Sequence, residues 1–129
     1  MDEYRLAAKN ASLQIGRRVP LVVIDDDPTG TQTVHSLPVL GDWSVENLSS
    51  VISDPGVSCF YILSNTRALD VERARARATE ISANVKTALK QCRGLDGVSG
   101  YRIVSRGDST LRGHFFDEVE AIASGLQLE

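Results

Sequence analysis

The chain of 129 residues has two cysteines, four prolines and 5% aromatic residues, and its formal net charge is only −3. Two cysteines without metal-type spacing exclude a disulfide scaffold and a zinc module. The simple expectation is two buried, reduced thiols, Cys59 in a strand and Cys92 at a helix end, although a single disulfide is also compatible with the count. The mild acidity and the absence of Lys/Arg clusters interleaved with aromatics give no reason to expect nucleic acid. No apolar run approaches the ~18 residues that span a bilayer, so no membrane partner is expected. The first residues, MDEYRLAAKNASLQIGRR, carry charge throughout and lack the apolar stretch of a secretory signal, so the expected location is cytoplasmic.

What is present is an alternation of two kinds of segment. Leu21–Ile24, Cys59–Leu63 and Tyr101–Val104 are short apolar or β-rich runs, and their shortness predicts strands buried on both faces. Val71, Ala74, Ala78, Ile81, Val85, Leu89 and Cys92 recur at spacings of three or four, which predicts one long helix with Asp70 as N-cap and Gly94 as stop. Phe115, Val119, Ile122 and Leu126 repeat that spacing, in a helix expected to begin between Leu111 and His114. Leu37–Leu40 suggests a further strand, and Ser44 a cap for a helix over Val45–Ile52. The resulting expectation is an α/β, three-layer Rossmann-like domain over residues 20–129, with a mostly parallel sheet and helices on both faces. Residues 1–19 are expected to form a helical N-terminal segment.

Three polar loops follow three of these strands: Asp25-Asp26-Asp27-Pro28-Thr29-Gly30, Ser64-Asn65-Thr66-Arg67, and Arg106-Gly107-Asp108-Ser109-Thr110-Leu111-Arg112-Gly113. In parallel α/β sheets, ligands bind beyond the carboxyl ends of the strands, so the three loops should converge on one cleft. Carboxylates at a strand end accept hydrogen bonds from ligand hydroxyls, and one of them can serve as general base. Arg67, Arg112 and a helix N-terminus would face a carboxylate or phosphate. Asp25 is expected to cap the turn or pair internally. Arg73, Arg75 and Arg77 are expected on a solvated helix face, and His114 suits either backbone or ligand. The two histidines have no third ligand at metal spacing, so no metal site is expected within the chain.

These loops resemble motifs of the four-carbon acid sugar kinase family, in its N-terminal, sugar-acid-binding domain. Its members typically show D-D-x-T-G after the first strand, T-D-S-R after a later one, and K-x-D-S-T-L-R-G-N opening a helix. Here they stand as Asp26 to Gly30, Ser64 to Arg67, and Arg106 to His114. Asn65 replaces an Asp, His114 an Asn, and Ser105 or Arg106 the usual Lys. The resemblance implies a phosphotransferase acting on sugar acids of the threonate and erythronate kind. Asp26 and Asp27 would be its catalytic carboxylates, and Asp26, Asp27, Thr29, Arg67, Asp108, Ser109, Thr110 and Arg112 would bind substrate. It implies ATP and Mg²⁺ as cofactors, with ATP held by a separate C-terminal domain, since no G-x-x-x-x-G-K-S/T loop occurs here. The 129-residue chain alone is therefore expected to be inactive, and an exposed sheet edge makes self-association reasonable.

Two other readings compete. Asp25-Asp26-Asp27-Pro28-Thr29 also fits the D-x-D-x-T loop of haloacid-dehalogenase-like phosphatases, with Asp25 as nucleophile, Asp27 as acid/base, and Mg²⁺ shared by Asp25 and Asp108. That reading leaves Thr110-Leu111-Arg112-Gly113 without a role. The third reading is a non-catalytic sugar-acid-binding or effector-like module.

Overall fold

A computed structural model describes residues 19–92, 100–110 and 113–127 of the chain. The β-branched run after Pro20 forms β1 (Leu21–Asp25), and β2 (Val39–Leu40), β3 (Cys59–Leu63) and β4 (Arg102–Arg106) complete a sheet ordered β2-β3-β1-β4. Every pairing is parallel, with Asp25 level with Leu63 on one side and Arg106 on the other. Three helices follow in turn: α1 (Val45–Ser53), α2 (Val71–Cys92) and α3 (Phe115–Leu126). This is the expected α/β, Rossmann-like arrangement.

The caps are those the residue types dictate. Ser44 Oγ accepts from the Asn47 amide at 3.4 Å, and Asp70 Oδ1 accepts from the Arg73 amide at 2.9 Å. Gly94, the expected stop of α2, and the N-terminal segment lie outside the described residues. Val22, Ile24, Phe60 and Ile62 share one face of the sheet and pack against Leu48 and Ile52 of α1, Ile81 and Val85 of α2, and Ile122 and Leu126 of α3. Each such side chain contributes roughly 1.5–3 kcal/mol by leaving water.

Connection handedness explains this layering. The β2-α1-β3 and β3-α2-β4 units advance in the same direction across the sheet, and right-handed crossovers then put both helices on one face. The β1-to-β2 connection runs the opposite way and contains, among its elements, only a 3₁₀ turn, Pro28–Thr33. A second helical layer is not found among the described residues.

The expectation that the strands are buried on both faces holds only for β1, where Val22, Val23 and Ile24 are all buried. The other two need correction. In β3 buried and half-buried residues alternate, and β4 alternates between half-buried and exposed, with Val104 46% exposed. The reason for β4 is its place at the end of the sheet, with one neighbour only. Both cysteines are free thiols; Cys92 is buried as expected, whereas Cys59, the first residue of β3, is only half-buried. No described helix is long and apolar enough to cross a membrane.

Candidate functional site

Because β1, β3 and β4 run in parallel, their carboxyl ends lie at one edge, and backbone hydrogen bonds join the three loops there. The Ser64 amide donates to the Asp25 carbonyl at 2.8 Å, and the Ser64 hydroxyl donates to the same oxygen at 2.9 Å. The next residue, Asn65, takes a left-handed conformation (φ 52°), which asparagine tolerates better than most residues. That bend starts the 3₁₀ turn Thr66–Ala68 and carries Arg67 back over the first loop, where its amide donates to the Asp26 carbonyl at 3.3 Å.

Asp26 is the junction of all three loops. Its carboxylate is 3% exposed and accepts from Arg67 Nη2 at 2.9 Å, from Arg67 Nε at 3.3 Å and from the Asp108 amide at 2.9 Å. A carboxylate is removed from water here, and three donors replace the water it loses. Asp108 in turn folds its own loop, Oδ1 accepting from the Thr110 amide at 2.8 Å in an Asx turn. The loop closes so tightly that a Cβ on Gly113 would fall 1.9 Å from the Asp108 carbonyl oxygen. The final glycine of D-S-T-L-R-G is thus required by close backbone approach.

The loops enclose a polar cleft of about 270 Å³. Asp25, Asp27, Thr29 and Gly30 line it from the first loop, Arg67 from the second, and Arg106 to Ser109 from the third. Of the substrate-binding residues expected from the sequence, Asp27, Thr29, Arg67, Asp108 and Ser109 therefore meet at one place. Asp26 lies beneath them as the strut that holds Arg67 and Asp108. Thr110 belongs to the same loop without lining the cleft, and Arg112 lies outside the described residues.

The carboxylates differ in character. Asp27 Oδ1 accepts from the Thr29 hydroxyl and, at 2.8 Å, from the Thr29 amide, and Oδ2 lies 3.4 Å from Arg67 Nη1. Those bonds to Thr29, with a smaller contribution from Arg67, hold its carboxyl below the ordinary value. Asp27 is therefore an ionised acceptor at neutral pH. Asp25 is shifted the other way, because burial outweighs the hydrogen bond from the Asp27 amide and the nearby Arg106 guanidinium. Asp25 Oδ1 accepts from the Asp27 amide at 3.3 Å, in line with the expected turn-capping role.

Sequence reading passed over Glu118. It lies on α3, is 4% exposed, and accepts a hydrogen bond from the Thr66 hydroxyl. Burial pushes its carboxyl up, opposed in part by that hydroxyl. Glu118 lies four residues before Ile122 on the buried face of α3, and an acid on an apolar stripe is the signal that could have found it.

Two local expectations need revision, and one open alternative is resolved. Helix α3 starts at Phe115, beyond the expected Leu111-to-His114 range, and its first turn carries Asp117 and Glu118. Its N-terminus is thus an acidic end outside the cleft lining, poorly suited to an anion. Arg75 and Arg77 are not merely solvated: Arg75 Nη1 lies 2.9 Å from both Asp117 and Glu120, and Arg77 donates to the Ser64 carbonyl at 2.9 Å while its guanidinium lies over Trp43. Of the two roles expected for His114, the backbone one is found: its Nε2 lies 2.8 Å from the Leu69 carbonyl.

No curated protein and no solved structure matches the chain. The family model for the sugar-binding N-terminal domain matches residues 21–129, which takes in all three loops and every described strand and helix, so the chain belongs to the four-carbon acid sugar kinase family through that domain.

Proposed function

We propose that this chain binds a four-carbon sugar acid of the threonate or erythronate kind and forms the substrate-binding portion of an ATP-dependent kinase. The observation that carries the reading is the convergence of Asp27, Asp108 and Ser109 with the Arg67 guanidinium around one small polar cleft. Four carboxylates, Asp25, Asp26, Asp27 and Asp108, stand there against the guanidiniums of Arg67 and Arg106. That excess of acceptors suits the hydroxyl groups of a polyol chain. The acid end of the ligand then requires further positive charge, for which Arg112 is proposed from its place in the D-S-T-L-R-G motif.

Asp27 is the proposed catalytic carboxylate. Both oxygens of Asp26 are occupied by Arg67 and the Asp108 amide, whereas Asp27 lines the cleft. A carboxyl held below its ordinary value is a weak base early in a reaction. Its role is to accept a hydrogen bond from the attacking hydroxyl, orient the oxygen, and take the proton late, as a loose phosphoryl-transfer transition state allows. Bound ATP with Mg²⁺ would supply the phosphoryl group. Although four carboxylates meet at the cleft, no three of them, nor any other three His, Cys, Asp or Glu side chains among the described residues, are placed to hold one metal ion, so the proposed donor site, with its Mg²⁺, lies in a separate nucleotide-binding domain.

Calorimetric titration with the threonate and erythronate stereoisomers tests the reading. Stereoselective binding that is lost in Arg112→Ala and weakened in Asp27→Asn is the expected outcome, with no ATP turnover by the chain alone. Failure of every isomer to bind the folded chain would refute it. The phosphatase reading gains no support from the family model, which describes a sugar-binding domain.

A further inference from the structure

Asp25 is the last residue of β1. It lines the cleft, yet its Oδ2 is buried and has no hydrogen-bond partner among the described residues. The nearest cation among the described residues is Arg106 Nη1 at 3.5 Å, beyond good hydrogen-bond geometry, and that nitrogen donates instead to the Gly30 carbonyl at 2.7 Å. A buried carboxylate oxygen without a donor is costly, and families of folded proteins seldom leave one unmatched. Gly30 makes the arrangement possible, because a Cβ there would fall 2.0 Å from Asp25 Oδ2 and 2.8 Å from Arg106 Nη1.

We infer that Asp25 and Arg106 form a hydroxyl-recognising subsite, in which one ligand hydroxyl accepts from Arg106 Nη1 and donates to Asp25 Oδ2. A hydroxyl is the complementary group because it is donor and acceptor at once. An ether or a methylene leaves Oδ2 unmatched, and a carboxylate meets it with like charge. With hydrogen bonds of about 2.7–2.9 Å, a bridging oxygen needs its two partners about 4.5–5 Å apart. The Arg106 tip therefore withdraws by about 1–1.5 Å on binding, which its 45% exposed side chain permits. The strand register supports the pairing independently: Asp25 and Arg106 are level partners at the ends of β1 and β4.

The identity of the ligand rests on the sugar-acid reading, whereas the subsite needs only a hydroxyl. The experiment titrates the full chain with threonate, erythronate and their monodeoxy analogues, in which each hydroxyl is removed in turn. Erythritol and threitol serve as uncharged probes. One deoxy analogue is expected to bind about tenfold to a hundredfold more weakly than its parent, the scale of a hydrogen bond to a charged group. That discrimination is expected to collapse in Asp25→Asn and in Arg106→Met, the second variant being at an exposed side chain that leaves the core intact. Discrimination that persists in both folded variants, or equal affinity for all analogues in the unmodified chain, overturns the subsite. If no acid binds, the sugar-acid reading fails and the tetritols decide. Tetritol binding that weakens in Asp25→Asn and Arg106→Met upholds the subsite, and its absence, or its persistence in both, overturns it.

Discussion

Replacing Asp26 by Asn keeps the shape of the side chain and removes the charge at the point where the three loops meet. The carboxylate accepts two hydrogen bonds from Arg67 and one from the Asp108 amide. An amide can satisfy one or two of them and points its NH₂ at a donor. Breaking a fully buried pair from one side costs about 3–5 kcal/mol, but Arg67 is 35% exposed and regains water, so about 2–3 kcal/mol is expected. Arg67→Ala strands the buried carboxylate with a single donor and is expected to cost a similar amount. The double variant should lose only about 3–4 kcal/mol, giving a coupling of about 1–2 kcal/mol. Urea denaturation measures all three, provided the slope stays constant across the set. A parallel cycle of Asp27→Asn with Arg67→Ala is expected to show less than about 0.5 kcal/mol, because that pair is longer and more exposed. Additivity within about 0.5 kcal/mol for Asp26 and Arg67 would refute the strut.

Other outcomes follow from the same geometry. Gly125→Ala places a Cβ 2.4 Å from the buried Ser82 Oγ between α2 and α3. Overpacking should outweigh the gain in helix propensity by about 1–2 kcal/mol, with partial recovery on adding Ser82→Ala, read by thermal unfolding. Gly113→Ala drives a Cβ into the Asp108 carbonyl and should abolish sugar-acid binding while circular dichroism reports an intact fold, since the loop yields before the core does. Glu118 has a folded-state carboxyl raised above its ordinary 4.5, so its contribution to stability is fully present below that value and is lost as pH rises through the folded value. Glu118→Gln removes this dependence. The stability of the variant relative to the unmodified chain should therefore climb as pH increases above 4.5, and a flat difference would contradict the assignment.

Much of the frame can be read from spacing because its elements are locally encoded. The period of α2, the Asp70 and Ser44 caps and the short apolar runs of β1 and β3 each follow from neighbouring residues. The cleft could be anticipated because parallel strands deliver their loops to one edge. The details that escaped depend on contacts distant in sequence. That β4 would be an edge strand with Val104 exposed depends on strand order, which no residue of β4 encodes. Asp26 and Asp27 are adjacent acids in the chain, and only the positions of Arg67 and Asp108 make the first a buried strut and the second a cleft acceptor. Arg106 becomes a site residue through its register with Asp25, and Glu118 through the hydroxyl of Thr66, 52 positions away.

The most direct measurement is amide chemical-shift mapping of the isotopically labelled chain titrated with threonate and erythronate. Saturable shifts are expected only in the three loops, at Gly30, Arg67, Gly107, Asp108 and Ser109, with the amides of α1 and of the far ends of the strands unchanged. Saturable shifts centred elsewhere, or none from a folded chain with any isomer, would contradict the assignment of this cleft as the sugar-acid site.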